Sequence, residues 1–148
     1  QQSSVDIEAW LAAGHYLKWT CQDGVQDKIL ISIHGKQRIC SNALVTGHAT
    51  KDEYPVDASS VKELYDEAGV NIVGYAVSRH VKAGTDGASW YWYKRVPADD
   101  PQMPDENGVV ADGLGDEGVA MSLCVSCHSA AGNDADHPGH DFIYKVAE

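Results

Sequence analysis

Residues that could bind a metal or carry out redox chemistry lie together near the C-terminus. Cys124, Cys127 and His128 form the pattern Cys-x-x-Cys-His. Two thiols at this spacing can form thioethers with the two vinyl groups of a haem, and the adjacent histidine can then bind the iron. No helix breaker separates Cys124 from His128, so we predict a helix there. We expect one covalent haem c, attached through Cys124 and Cys127, with His128 as proximal iron ligand.

Two other kinds of site use a Cys-x-x-Cys spacing. A dithiol redox centre opens a helix early in a thioredoxin-like unit, and this motif lies too late in the chain for that fold to follow. A zinc site could combine the cysteines with His137 and His140. The interval between the pairs and the spacing of the histidines are both shorter than is usual for such sites. A zinc-stabilised structural domain is thus the weaker alternative.

Composition limits the classes of protein to which the chain can belong. Its 148 residues suit one domain, and we predict a single haem-binding domain over 1–148. A formal net charge of −11 disfavours a nucleic-acid partner, because phosphate contacts need lysine and arginine. No apolar run is long enough to span a membrane. Haem attachment of this type implies an extracytoplasmic, periplasm-like location, where Cys21 and Cys40 can oxidise to a disulfide.

Hydrophobic patterns predict several elements around the motif. An amphipathic helix is expected in the first segment, ending near Gly14. A strand is expected over 28–33, and an extended or helical piece over 37–45. Segments 71–81 and 89–96 alternate like an antiparallel hairpin, with Trp90 and Trp92 on one face and Tyr91 and Tyr93 on the other. The acidic, proline-containing stretch 98–118 is expected to be a loop, and 140–146 a strand. On local grounds alone, 59–69 favours a helix.

The order of these landmarks resembles the cytochrome P-460 family, including its cytochrome c′-beta relatives. The resemblance rests on the segments "HGKQRICSN", "YPVDASSVKELYD", "GYAVSRHV", "SWYWYKRV" and "CVSCHSAAG…HDFIY". It spans His34 to Tyr144, and its haem-attachment positions match Cys124, Cys127 and His128. There are also departures. Asp57 stands where the family usually has glycine, and the Cys21/Cys40 pair is not a general family feature.

The resemblance implies an α+β fold, mainly an antiparallel β-sheet with a few helices, with haem held by the C-terminal Cys-x-x-Cys-His segment. It also changes the expectation for "SSVKELYD" from helix to strand. Some family members oxidise hydroxylamine and carry a lysine cross-linked to haem, whereas others bind nitric oxide. No lysine of this chain can be assigned to that cross-link. Lys36, Lys62 and Lys82 are each expected to be solvated or to lie at a strand edge.

We therefore expect an extracytoplasmic mono-haem c-type cytochrome whose sixth iron position is open or weakly blocked. Its ligands would be nitric oxide or other nitrogen oxides, and enzymatic turnover as a haem-dependent oxidoreductase is left open. No methionine follows His128, which disfavours a His/Met electron carrier. His34 is the strongest candidate for a distal ligand. The weaker candidates are His80, expected on the surface, and Met103, His137 and His140. The main alternative is a six-coordinate bis-His electron carrier, which would need a redox partner protein.

Overall fold

The computed structural model describes residues 4–28, 32–48, 50, 52–144 and 146–147. Its strands are β1 Thr20–Cys21, β2 Gln37–Ser41, β3 Ser59–Tyr65, β4 Ile72–His80, β5 Trp90–Arg95 and β6 Val109–Leu114. Its helices are α1 Ser4–Ala12, α2 Ala43–Thr46 and α3 Ser126–His128, with 3-10 turns at His15–Lys18 and Gly87–Ser89 and a π-helical turn at Ala120–Val125. An α+β fold built on an antiparallel sheet is confirmed.

The six strands form one sheet in which chain order is also spatial order, from β1 to β6. Every neighbouring pair is antiparallel. This meander keeps consecutive strands adjacent, so short connections suffice between most of them. The predicted hairpin is confirmed as β4–β5, and the predicted strand in "SSVKELYD" is confirmed as β3. No helix in the described part of the chain is long and apolar enough to cross a membrane.

The two faces of the sheet cover different partners, as the period of two along each strand requires. On one face, α1 packs through Ile7 and Leu11 against a core that contains Tyr93 of β5. On the other face, Trp90 and Trp92 pack against the C-terminal part of the chain. The predicted separation of the tryptophans from the tyrosines is therefore confirmed. The tryptophan face of the sheet therefore forms one wall of the candidate functional site.

A disulfide joins the first two strands at one end of the sheet. Cys21 and Cys40 are bonded to each other and are also direct partners in the β1–β2 register. Cys40 is fully buried in the core beneath α1. The predicted Cys21–Cys40 disulfide is present. It anchors the two-residue strand β1, which has little pairing of its own.

A buried carboxylate organises the α1 side of the sheet. Glu63 of β3 is 1% exposed, and its two oxygens accept hydrogen bonds from Arg38, Tyr16 and Tyr65. Burial alone would raise the pKa of Glu63, but the hydrogen bonds from Arg38 and the two tyrosines outweigh it, and the net pKa is lowered. A buried charge is tolerated when it is paired and hydrogen-bonded in this way.

Two predicted elements are wrong, and a third is largely untested. The stretch 98–118 is not all loop, because Val109–Leu114 forms β6 by pairing with β5. The predicted strand over 140–146 is absent from its described residues, 140–144 and 146: Asp141 and Phe142 have φ of 41° and 66°, and the chain turns back through a bridge between His140 and Ile143. The predicted strand over 28–33 lies mainly outside the described residues, and Ser32 and Ile33 belong to no strand.

The Glu63 network makes stability depend on pH with a defined sign. A carboxyl whose folded pKa is lowered stabilises the fold above its ordinary value of 4.5, and that contribution is lost as pH falls through the folded pKa. We expect Glu63→Gln to lower the free energy of unfolding by at least about 2 kcal/mol at pH 7. Urea unfolding at pH 7 and pH 3 measures this, and the gap between wild type and variant should shrink at pH 3. The exposed Glu67→Gln is the control, and equal stability of Glu63→Gln and wild type at pH 7 would contradict the account.

Candidate functional site

A cavity of about 210 Å³ lies between the tryptophan face of the sheet and the C-terminal helical segment. Side chains from β2, β3, β4 and β5 form one wall, and Tyr144 and the helical segment form another. The four haem-site residues predicted from sequence, His34, Cys124, Cys127 and His128, all line this cavity. The motif residues are neighbours in sequence, whereas His34 lies about 90 residues earlier, so the fold brings it to the motif.

The cysteine motif lies on a helical segment, as the lack of a helix breaker indicated. A π-helical turn at Ala120–Val125 carries Cys124, and α3 at Ser126–His128 carries Cys127 and His128. Such wide turns inside helices are often found at functional sites. The segment is held close to the sheet by small residues: a Cβ at Gly115 would lie 2.2 Å from the Gly87 carbonyl oxygen and 2.6 Å from Val125. Any larger residue at Gly115 would therefore displace the helical segment.

His128 is fixed in one tautomer by the backbone. Its Nδ1 donates a hydrogen bond to the carbonyl oxygen of Phe142 at 2.7 Å. Burial lowers the pKa of His128 to about 4, with a further contribution from the nearby charge of Lys62. The imidazole is therefore neutral at pH 7, and its Nε2 keeps a lone pair. A metal-binding histidine typically has this arrangement, in which the second nitrogen donates to a carbonyl and fixes the ring.

The turn that replaced the predicted C-terminal strand places this carbonyl. Phe142 and Asp141 adopt positive φ, and a carboxylate oxygen of Asp141 accepts a hydrogen bond from the backbone N–H of Tyr54 at 2.7 Å. The side chain of Phe142 is 8% exposed and packs near Trp90. Positive φ costs energy for residues other than glycine, so the surrounding packing must hold it. The strained turn thus orients the Phe142 carbonyl toward His128.

His34 lies across the cavity from His128, just before Gly35 and β2. The two ring centroids are 6.3 Å apart, and the ring planes are inclined at 64°. Nδ1 of His34 is buried and has no hydrogen-bond partner among the described residues. Burial lowers the pKa of His34 well below its ordinary value, and the charges of Lys62 and Lys94 lower it further. His34 is therefore neutral and can act as a ligand or a hydrogen-bond acceptor.

Trp92 forms the wall next to His128. It is 4% exposed, and its ring centroid lies 4.7 Å from that of His128. The buried Nε1 of Trp92 has no partner among the described residues, and the same is true of Oε1 of Gln37, which also lines the cavity. Buried polar atoms normally have partners, so unpaired ones in a cavity wall indicate a polar occupant.

Two lysines also line the cavity, which the sequence did not indicate. Lys62 of β3 was expected to be solvated, but it faces the cavity, and Lys94 of β5 is only 2% exposed. The prediction for Lys62 is wrong because β3 lies in the interior of the sheet, between β2 and β4. Two further lysines were expected, like Lys62, to be solvated or at a strand edge. Lys82 is exposed, and Lys36 is half-exposed with its Nζ 3.8 Å from Asp27. Successive side chains of a strand point to opposite faces of the sheet. Assigning this segment as a strand therefore places Lys62 on the face opposite to that of Glu63.

The thiols do not have the properties of a dithiol redox centre. Cys124 and Cys127 are not bonded to each other. Burial raises the pKa of Cys124 to about 11. A reactive redox cysteine instead has a lowered pKa, because the thiolate is the nucleophile. Both sulfurs are nevertheless available on the cavity wall for bond formation with an occupant.

The ligands of the zinc alternative do not converge. His137 hydrogen-bonds through Nδ1 to Asp134 at 2.7 Å, and the ring of His140 stacks on Tyr54 with centroids 4.5 Å apart. In the part of the chain that the structure describes, no group of three or more His, Cys, Asp and Glu side chains is arranged to hold a metal ion. A haem site places a smaller demand on the protein, because the porphyrin supplies four of the iron ligands.

The weaker candidates for a distal ligand lie away from the cavity. His80 was expected on the surface, but this is wrong: it is fully buried, its ring centroid lies 4.9 Å from that of Trp90, and its Nε2 hydrogen-bonds with Gly84 O. Met103 is 89% exposed in the loop before β6. Neither residue lines the cavity, so His34 is the candidate that the fold places there.

Comparison with known proteins adds nothing to this geometry. Neither protein-family models, nor curated proteins, nor solved structures give a match to the chain.

Trp92 is placed to support both the core and the site. We expect Trp92→Ala to lower the free energy of unfolding by about 3–5 kcal/mol, because a large buried aromatic leaves a cavity behind. Trp92→Phe, the control, should lose much less, since most of the apolar contact remains. Chemical denaturation monitored by circular dichroism measures both variants. A denaturation midpoint for Trp92→Ala equal to that of wild type would show that the Trp92 face does not pack as described.

Proposed function

We propose that this chain is a mono-haem c-type cytochrome that binds a small ligand in the cavity. The observation that carries the proposal is His128, whose Nδ1 is tied to the Phe142 carbonyl while Nε2 keeps a lone pair on the same wall as the two cysteine sulfurs. Thioethers to Cys124 and Cys127 would hold the macrocycle, and His128 would bind iron from the proximal side. Bound haem would supply a redox-active iron that can bind a small ligand.

The residues of the site fit such a group chemically. Both cysteines are free, and they lie on successive helical turns with His128 following directly. Trp92, Ile39 and Ile143 offer apolar and aromatic surface for a macrocycle. The orphaned polar atoms of His34, Gln37 and Trp92 leave hydrogen-bonding capacity for a polar ligand next to the iron. This combination of apolar walls with a few convergent polar groups is typical of cofactor and ligand sites.

We further propose membership of the cytochrome P-460 family and an extracytoplasmic location. The antiparallel sheet, the strand at "SSVKELY" and the helical C-terminal motif support the family assignment. The Cys21–Cys40 disulfide supports an oxidising compartment. Nitric oxide and other nitrogen oxides are the proposed ligands, by resemblance to that family.

One observation favours a second function, that of a six-coordinate electron carrier. When two imidazoles bind one metal ion from opposite sides, their ring centroids are about 6 Å apart. This distance is the sum of two metal–nitrogen bonds of about 2 Å and two nitrogen-to-centroid distances of about 1 Å. The centroids of His34 and His128 are 6.3 Å apart. His34 would then block the sixth position, and the protein would exchange electrons without binding a ligand. A weakly held His34 that a ligand displaces is compatible with the first function.

Covalent haem is tested by mass. We expect the intact, denatured protein, expressed with a cytochrome c maturation system, to exceed the 16.0 kDa chain by the mass of one haem. The double variant Cys124→Ser/Cys127→Ser should lose this increment, because no thioether can form. The variant Cys21→Ser/Cys40→Ser is the control and should keep it. A wild-type mass equal to that of the bare chain would refute the haem proposal.

Carbon monoxide separates the two functions. If the sixth position is open or weakly blocked, the dithionite-reduced protein should bind carbon monoxide and shift its Soret band. His34→Ala should then bind it at least as tightly, while His137→Ala, whose ring lies outside the cavity lining, should match wild type. A reduced wild-type spectrum that is low-spin and unresponsive to carbon monoxide, with a response gained in His34→Ala, would overturn the first function in favour of the electron carrier.

A further inference from the structure

Two lysines face the cavity side by side across the sheet. Lys62 of β3 is the register partner of Ala76 on β4, and Ala76 is the register partner of Lys94 on β5. Their Cα atoms are therefore two strand spacings apart, about 10 Å, on the same face. Ala76 has only a methyl group, so no larger side chain separates the two lysines in this row. The cavity wall consequently carries two ammonium groups next to each other.

These charges lack a counter-charge inside the cavity. No aspartate or glutamate is among the described residues that line it. Lys94 donates a hydrogen bond to the neutral side chain of Gln102, and Asp100 is close enough to raise its pKa. The ammonium group of Lys62 makes no hydrogen bond or ion pair with any residue in the described part of the chain. In a protein with a net charge of −11, this cavity is a local exception.

Burial lowers the pKa of Lys62 and of Lys94 to about 8, and the charge of Lys94 adds to the effect on Lys62. Both amines are thus still mainly charged at pH 7. A partly desolvated ammonium group is costly unless an anion or a set of acceptors compensates it. An anionic occupant would compensate both lysines, whereas a neutral diatomic ligand would compensate neither.

The position of Lys62 relates this charge to the proposed iron site. Its charge acts on both His34 and His128, the two histidines that face each other in the cavity. A small oxyanion could accept a hydrogen bond from the Lys62 ammonium group, since charge-assisted bonds to oxygen are the strongest available there.

We propose that Lys62, supported by Lys94, binds a small oxyanion at the ligand position that faces His34 and makes the site selective for anionic over neutral ligands. This rests on the proposed haem function, because His128 has to hold the iron. The same oxyanion chemistry could be provided by a free ligand of nitrite size or by the carboxylates of the haem itself. We assign it to a free ligand, because Lys62 lies near the histidines on which the ligand position depends.

The test uses haem-loaded protein whose covalent haem has been verified by mass. Ferric protein is titrated with sodium nitrite at pH 6.5 and constant ionic strength, and the Soret shift gives Kd. We expect Lys62→Met to weaken nitrite binding about tenfold or more, the scale of one hydrogen bond to a charged group. Lys94→Met should have a smaller effect, and the exposed Lys82→Met should have none. Lys62→Arg, which keeps the charge, should retain most of the affinity.

A neutral ligand provides the specificity control. Carbon monoxide affinity of the reduced protein should change less than about twofold in Lys62→Met. The proposal is overturned if nitrite affinity does not change in Lys62→Met. That result is expected if the lysines neutralise the haem carboxylates instead of a free ligand. It is also overturned if nitrite and carbon monoxide weaken equally, or if peptide mapping finds the Lys62 amine bonded to haem. A chain without covalent haem would refute the proposed function itself, which the prior mass measurement detects separately.

Discussion

The hydrogen bond from His128 Nδ1 to the Phe142 carbonyl is the interaction on which the site depends. It joins the helical cysteine segment to the turn that follows it. Without it, the imidazole could rotate, and neither nitrogen would be committed as donor or as free lone pair. With it, the ring presents Nε2, and the positive φ values at Asp141 and Phe142 become part of the site.

The sheet provides the rigid support behind this interaction. Its period of two sends Tyr91 and Tyr93 toward the α1 side and Trp90 and Trp92 toward the cavity, so one strand serves two cores. The carboxylate of Glu63 is paired on the α1 side, while the neighbouring Lys62 extends into the cavity, where its ammonium group has no partner among the described residues. Opposite charges on adjacent residues are thus separated by the sheet. One of them stabilises the fold, and the other remains available for a ligand.

Much of the sheet and the main site residues could be predicted from sequence, because they follow from local patterns. The alternation over β4 and β5 indicated a hairpin and its two faces, and the lack of a helix breaker between Cys124 and His128 indicated a helical motif. The strand β3 required the family resemblance, since its capping and spacing signals favour a helix locally. This is a case in which tertiary pairing overrides local propensity.

Other features depended on contacts that sequence patterns do not reveal. Strand β6 contains Asp112 and Gly113, residues that are typical of loops, so its composition alone indicated a loop. It forms a strand because it pairs with β5. The C-terminal turn uses positive φ at two residues other than glycine, which no local signal indicates. The local sequence around Lys62 is that of an ordinary surface lysine, and the position of β3 inside the sheet is what places it in the cavity wall. No carboxylate is among the described residues that line the cavity with it, which is a property of the fold rather than of any segment.

A crystal structure of the haem-loaded protein tests the central claim most directly. We expect iron bonded to Nε2 of His128 at about 2 Å, thioethers at Cys124 and Cys127, and Nδ1 still within hydrogen-bonding distance of the Phe142 carbonyl. Iron bound by another residue, or a His128 ring turned so that Nδ1 no longer contacts Phe142, would contradict it.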